Sequence, residues 1–316
     1  MAPDQSPRPR PSTTTHTMSN TPPMTGNPGR LDAPADPTLT TPSGLQSTAE
    51  LAGRRRLVLW LNVTTWLAMM LVAAYILGSG GWTWLDVLML VCFALGTPWT
   101  VLGFWNALIG LWLLHGQRDG LHLVAPFAAA GDVPSRLTVK TAVFMTLRNE
   151  DPERAIRRLE TVKESLDATG EGAAFSYFLL SDTNDPEVAR REEALAAAWK
   201  ARDKDGDRIV YRRRALNTGY KAGNVRDFCE RWGGDYELML PLDADSVMTG
   251  RSIVRLVRMM QAHPRIGILQ SLVVGMPSAS AFARIFQFGM RHGMRSYTMG
   301  SAWWIGDCGP FWGHNA

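Results

Sequence analysis

Asp243 and Asp245 stand two residues apart at the end of the run Tyr236-Glu237-Leu238-Met239-Leu240-Pro241-Leu242. A short apolar run bounded by turn signals is the pattern of a buried strand. Open α/β sheets take their ligands beyond the carboxyl ends of such strands. Two carboxylates there are hard oxygen ligands, suited to Mg²⁺ or Mn²⁺ that also binds the oxygens of a substrate diphosphate. The competing reading is a turn whose aspartates cap the next helix.

Three other stretches carry polar chemistry near expected strand ends. Ser181-Asp182-Thr183-Asn184-Asp185 follows the apolar run Phe175 to Leu180, so Asp182 is placed to grip a nucleotide base or ribose, while Asp185 reads as a helix cap. Arg212-Arg213-Arg214 leads into Gly219-Tyr220-Lys221-Ala222-Gly223-Asn224. Lys and Gly at the entrance to a helix suit a phosphate, because the first amides and the dipole favour an anion and glycine admits close approach. The arginine run has a second reading as a solvated face. Ala302 to Asn315 is rich in Trp and Gly, with Trp303 and Trp304 at one end and Gly313, His314 and Asn315 at the other. That composition suits a wall on which a sugar stacks, and equally a core or membrane-facing segment.

The elements that position these residues alternate. Strands are expected at Val139–Met145, Phe175–Leu180, Ile209–Tyr211, Tyr236–Leu242 and Ile266–Val274. Helices are expected after Asp151-Pro152-Glu153 and Asp185-Pro186-Glu187, and over Ala222–Arg231 and Ile253–Met260. Asp as N-cap, Pro at the first position and an acid in the first turn is a strong helix start. The alternation predicts an α/β fold with a mostly parallel sheet and helices on both faces. Strand order does not follow from it.

Upstream, Leu57–Leu77 and Trp84–Leu114 are apolar runs of bilayer-spanning length, the second with one charge (Asp86) and an internal proline, Pro98. Trp60, Trp82, Trp84 and Trp112 lie near their ends, as in an interfacial aromatic belt. Arg54-Arg55-Arg56 precedes the first run, the turn between the runs has no Lys or Arg, and Arg118 follows the second. The positive-inside rule then puts the N-terminus and everything beyond residue 115 in the cytoplasm. Residues 115–137 read as an amphipathic connector at the membrane surface. Residues 1 to about 50 are rich in Pro, Thr and Ser and cannot offset their ordering entropy by burial, so a disordered tail is expected.

Of the 316 residues, 46% are hydrophobic and 20% charged, and the net charge is +4, with the arginines beside the apolar runs or in one loop. That distribution is not a nucleic-acid footprint. Cys92, Cys229 and Cys308 are far apart, lack metal-ligand spacing and read as packing residues of a reducing compartment.

Lys221-Ala222-Gly223-Asn224, Leu242 to Ser246 and Leu269-Gln270 together resemble the nucleotide-sugar core of the family 2 inverting glycosyltransferases. These are the membrane-tethered enzymes that include cellulose and hyaluronan synthases. Asn149 to Pro152, Tyr211 to Arg214, Leu242 to Ser246 and Trp312 to Ala316 are similar, more narrowly, to the branch that makes the osmoregulated periplasmic glucans of Gram-negative bacteria. The likeness runs from about Arg54 to Ala316. It implies a GT-A-type domain over residues 138–316, in a multi-pass protein of the bacterial inner membrane. It also implies UDP-glucose as donor, Mg²⁺ or Mn²⁺ as cofactor, and a growing β-1,2-glucan as acceptor. On the matching positions, Asp182, Lys221, Gly223, Asn224, Asp243 and Gln270 would bind the donor. Asp243 and Asp245 would hold the metal, and Trp303, Trp304, Gly313, His314 and Asn315 would line the acceptor side. The resemblance extends the partners to membrane lipid, an acyl carrier protein and a periplasmic glucan-binding protein. Inversion requires a general base, which in this family lies in a later motif, so these residues are expected to be the donor-binding N-terminal part of a longer enzyme. One departure is Arg148, where many members have Tyr before Asn-Glu. Two alternatives stand beside this reading: a cellulose-like processive synthase, and a non-catalytic membrane protein that binds a nucleotide sugar.

Overall fold

The computed structural model describes residues 48–306. Residues 1–47 of the expected N-terminal tail, Cys308, Gly313, His314 and Asn315 lie outside them. Four strands, β1 (Thr141–Leu147), β2 (Phe175–Ser181), β3 (Ile209–Arg213) and β4 (Leu238–Asp243), form one parallel sheet in the order β3-β2-β1-β4. β1 and β2 are almost wholly buried, as the middle strands of a sheet covered on both faces must be.

One face is covered by α4 (Pro152–Asp167), α5 (Pro186–Arg202) and α7 (Gly250–Ala262), around Val143, Met145, Leu159, Tyr177 and Leu179. On the other, α6 (Tyr220–Trp232) brings Phe228 against Phe144 and Phe178, with ring centroids 5.0 and 4.9 Å apart. Asp151 and Asp185 cap α4 and α5 as expected, Asp151 accepting from Arg154 N at 3.0 Å and Asp185 from Glu187 N at 2.8 Å. The run Ile266–Val274, expected as a fifth strand, is irregular chain instead, with Ile268, Leu272, Val273 and Val274 exposed. Among the described residues no strand pairs with the outer edge of β4, and an apolar run without a ladder partner does not become a strand.

A buried charge cluster lies at the C-terminal end of α4. Lys163 Nζ is 2.7 Å from Asp167 and 3.0 Å from Asp203. Burial opposes its charge, but hydrogen bonding to the two carboxylates outweighs burial and raises its pKa. Burial likewise pushes Asp203 up, while the Asp205 amide and the Lys163 ammonium prevail and lower it. A raised lysine stabilises fully below its unfolded pKa of about 10.4, and the contribution is lost as pH rises through the folded value. A depressed aspartate stabilises fully above its unfolded pKa of about 3.9 and loses that contribution as pH falls through the folded value. The gap in urea midpoint between wild type and Lys163→Met is therefore expected to be constant from roughly pH 5 to 9 and to shrink on either side. A gap that ignores pH would rule the cluster out as a stabilising unit.

Upstream, α1 (Thr48–Gly78) and α2 (Trp84–Leu111) are long and apolar enough to cross a membrane and bury few of their side chains fully. The charge of Asp86 is explained locally: it forms a capping box with Thr83 at the start of α2. Cys92, expected to pack, is exposed on α2, whereas Cys229 packs beside the aromatic cluster. Pro98 has no N–H, so the Ala94 carbonyl loses its helical partner. Trp66 Nε1 on α1 donates to that carbonyl at 3.2 Å. Trp66→Phe is expected to destabilise the chain in detergent by about 1–3 kcal/mol, the cost of an unsatisfied buried acceptor. In a Pro98→Ala background, whose restored N–H satisfies Ala94, the same change is expected to cost much less. Equal losses in both backgrounds would show that the indole acts through packing alone.

The expected connector breaks into a π turn (Trp112–Gly116), a short helix α3 (Gly120–Val124) and a 3₁₀ turn (Pro126–Gly131). After the irregular run, α8 (Ala281–Gly289) exposes Phe282, Ile285 and Phe286, and a π turn leads to α9 (Arg295–Ile305). α9 lies against α2 so closely that a methyl group on Gly300 would collide with the Asn106 carbonyl. Small residues permit such helix crossings. Arg54 donates to Trp303 O at 3.0 Å and Arg55 to Ile305 O at 2.8 Å, so two basic residues close the carbonyl end of α9.

Candidate functional site

β2 and β3 lie on one side of β1 and β4 on the other, so the chain's direction of winding reverses between β1 and β4. Crevices at such a reversal, beyond the carboxyl ends of the strands, are where open α/β sheets bind ligands. The register pairs Thr146 with Asp243, Leu147 with Ser181, and Ser181 with Arg213. The residues following each strand therefore gather along one edge. A cleft of about 410 Å³ opens there, and Asp182, Lys221, Asn224, Asp243 and Asp245 all line it.

Asp243 is the last residue of β4, and Asp245 follows on an exposed turn held by Ser246 N to Asp243 O at 2.9 Å and Arg158 Nη1 to Ala244 O at 2.7 Å. The capping reading of these aspartates fails, since α7 is capped by Thr249, whose side chain accepts from Ser252 N. Lys221, in the first turn of α6, places its ammonium on the Asp243 carboxylate. That pair is partly exposed and worth little to stability. Asp245 is exposed and keeps an open approach, with the Ser246 hydroxyl 3.4 Å from its Oδ1.

Asp182 is buried, and Arg214 holds it with a two-pronged ion pair, Nε to Oδ1 at 2.7 Å and Nη2 to Oδ2 at 2.6 Å. Arg214 also donates to Thr218 O at 3.0 Å and Tyr220 O at 2.9 Å, tying the loop before α6 to the end of β2. Asn224 is buried too: its Nδ2 donates to Leu180 O at 3.0 Å and its Oδ1 accepts from Arg212 Nη1 at 2.7 Å. Both amide ends of this cleft residue are thus engaged with protein. Gly223 sits against the Thr218 carbonyl, where any Cβ would collide, so the glycine fixes how closely the loop and α6 approach. The arginine run is a solvated face only at Arg213, with Arg212 buried and Arg214 half-buried. Arg212 meets Asn224, Arg213 donates to Thr183 O at 2.9 Å, and Arg214 meets Asp182.

Arg148, noted only as a departure from the family pattern, and Glu150 and Tyr220, given no role from sequence, also line the cleft. Arg148 lies 5.6 Å from the centre of the Tyr220 ring, and Tyr220 holds an uncommon positive φ of 50°. A positive φ in a bulky residue beside a cleft was not legible from spacing. Asn149, φ 56°, braces the same rim by accepting from Asn184 N and Asp185 N at 3.1 Å each. Gln270 lies on the irregular run and is not among the cleft-lining residues. Trp303 and Trp304 are also elsewhere. Trp304 Nε1 donates to Asn106 Oδ1 at 2.9 Å, and Trp303 stacks under Arg54 at 5.0 Å. A groove of about 430 Å³ does lie between α1, α2 and Trp304, but its walls are mostly apolar, and its two polar side chains, Arg55 and Asn62, donate to the carbonyls of Ile305 and Val58.

Could the cleft hold a divalent cation? Among the described residues there is no group of three or more His, Cys, Asp or Glu that would make an all-protein metal cage. Two carboxylates with one open approach instead suit Mg²⁺ or Mn²⁺ that completes its shell with water and phosphate oxygens. The Lys221 ammonium on Asp243 shows that a cation is accommodated there. The donor set fits.

Fold and cleft together define an α/β domain with an acidic, cation-compatible ligand site at its winding reversal, joined to a pair of apolar helices. No protein-family model matches the chain. Curated relatives do. The chain is 40% identical over 227 residues to the glucans biosynthesis glucosyltransferase H of Pseudomonas aeruginosa, an alignment covering 72% of this chain and 26% of the relative. It is 39% identical over 242 residues to the protein of that name from Rhodopseudomonas palustris, covering 76% and 33%. With that of Bradyrhizobium diazoefficiens it shares 36% over 299 residues, covering 93% and 38%. The chain is homologous to part of the glucans biosynthesis glucosyltransferase H proteins, and it spans between 26% and 38% of the length of these three.

Proposed function

We propose that the chain is the donor-binding part of a membrane-bound inverting glucosyltransferase of GT-A type. It binds UDP-glucose with Mg²⁺ or Mn²⁺ and serves to elongate the β-1,2-linked backbone of osmoregulated periplasmic glucans. The observation that carries this reading is the convergence of Asp182, Lys221, Asn224, Asp243 and Asp245 on one cleft at the β1/β4 reversal. The shared name of the relatives supports the sugar and the product class. α1 and α2 anchor the domain in the inner membrane, with the cleft on the cytoplasmic side. The acceptor is the growing glucan, and the further partners are an acyl carrier protein and a periplasmic glucan-binding protein.

The chemistry follows from charge. A metal ion on Asp243 and Asp245 would neutralise the diphosphate as the sugar–phosphate bond breaks. Lys221 would yield Asp243 to a cation held there, and its ammonium could then meet the phosphates from the N-terminal turn of α6, whose dipole favours the same anion. Asp182, already fixed by Arg214, offers its remaining lone pairs to the nucleoside end.

Calorimetric titration of the detergent-solubilised chain with UDP-glucose, UDP and GDP-mannose, with and without Mg²⁺ or Mn²⁺, tests this. Cation-dependent binding of UDP-glucose and UDP, with GDP-mannose excluded, is the expected result. Equal binding of all three, or cation-independent binding, would overturn it.

A further inference from the structure

Beneath the cleft lies a carboxylate that donor binding does not touch. Glu192 of α5 is fully buried. Its Oε2 accepts from Ser181 Oγ at 2.6 Å and from the Tyr211 hydroxyl at 3.1 Å, and its Oε1 accepts from Thr183 Oγ1 at 2.6 Å. These partners lie at the end of β2, on β3 and in the loop beyond β2. Burial and the nearby Glu192 charge push the Tyr211 hydroxyl up to about 12, so it stays protonated as a donor.

Glu192 thus accepts from all three hydroxyls. Their oxygens are left to accept from elsewhere. Ser181 Oγ accepts from Thr183 N at 3.2 Å, and Thr183 Oγ1 accepts from Asn149 N at 3.0 Å. Asp182 sits between the two clamped residues, and Asn149 borders the cleft residues Arg148 and Glu150. One buried charge therefore sets the direction of a hydrogen-bond network that reaches both the β1 rim and the β2 rim of the cleft.

We propose that Glu192 is a positioning residue for nucleotide binding, holding Asp182 and the Arg148–Glu150 rim in register through Ser181 and Thr183. The proposal rests on the donor-binding reading of Asp182. Glutamine in its place must donate through its NH₂ group to one hydroxyl. That hydroxyl's own proton then loses its acceptor while its oxygen still takes the backbone N–H. Glu192→Gln should thus weaken the network partially and Glu192→Ala fully.

The test compares full chains carrying Glu192→Ala, Glu192→Gln or Leu159→Ala. The last empties a fully buried core position without touching the network. Hydrogen exchange is read at the Asn149 and Thr183 amides, and UDP·Mg²⁺ affinity is measured well below every melting temperature. Expected is exchange accelerated at those two amides about tenfold or more in Glu192→Ala and less in Glu192→Gln, with affinity falling in the same order. Leu159→Ala is expected to melt earlier yet keep both. Unchanged exchange at Asn149 and Thr183, in Glu192→Gln alone should Glu192→Ala not fold, overturns the proposal, as does an equal affinity loss in Leu159→Ala. A wild-type chain that binds no UDP would refute the donor reading, and the exchange measurement would still decide the role of Glu192.

Discussion

Asp245→Ala is expected to abolish the cation dependence of UDP-glucose binding and to weaken that binding by about a hundredfold, near 2.7 kcal/mol. On the proposed reading two carboxylates are the protein's share of the cation shell, and Asp243 already engages Lys221. Asp245 is therefore the ligand that distinguishes an ion-loaded cleft from an empty one. Its side chain is exposed and makes no strong bond to the fold, so the variant is expected to melt within about 0.5 kcal/mol of wild type, as surface changes do. Asp243→Ala should differ. It removes the second ligand but also frees the Lys221 ammonium, so part of the electrostatic attraction for the diphosphate survives. Calorimetry with and without Mg²⁺ separates the two variants. Should Asp245→Ala retain cation-dependent binding, the ion sits elsewhere and the Asp-x-Asp pair has a structural role.

Arg214→Ala is expected to cost about 3–5 kcal/mol of stability, because it leaves Asp182 as a buried carboxylate without its countercharge. The side chains of the pair are 8% and 5% exposed, which sets it apart from the partly exposed Lys221–Asp243 contact. Arg214→Lys should recover only part of the loss, since an ammonium cannot make the two parallel bonds to both carboxylate oxygens and still reach Thr218 and Tyr220. The double variant Asp182→Asn/Arg214→Ala is expected to be more stable than Arg214→Ala alone, because the stranded charge is gone. Urea unfolding monitored by tryptophan fluorescence measures all three. A double variant no more stable than the single would mean that Arg214 acts through the loop carbonyls and not through Asp182.

Much of this site is local chemistry and was legible as such. The Asp-Pro-Glu helix starts, the apolar runs of β1 to β4 and the polar residues just past them follow from short-range rules. A parallel sheet then gathers strand ends at one edge whatever the strand order. What short-range rules do not supply is partners distant in sequence. The run Ile266–Val274 has the composition of a buried strand, yet it stays irregular while the outer edge of β4 is left unpaired among the described residues. Trp303 and Trp304 have the side chains of a sugar platform, but Asn106 and Arg54, about 200 and 250 positions earlier, hold them against the apolar helices. The arginine run also had a reading as a solvated face, whereas Arg212 and Arg214 engage polar side chains and carbonyls made available only by the fold.

On the proposed membrane anchoring by α1 and α2, the indole of Trp66 on the Ala94 carbonyl bears on how the chain enters a bilayer. A bilayer offers no water to an orphaned backbone carbonyl, and each one costs several kcal/mol there. The segment around Pro98, released by itself, would carry that penalty across the hydrocarbon. Paired with the preceding segment, it does not. The two helices are therefore suited to partition from the translocation machinery as a couple, the first waiting beside the exit until the second emerges. The proline would act as a checkpoint that makes membrane integration of the second helix conditional on the first.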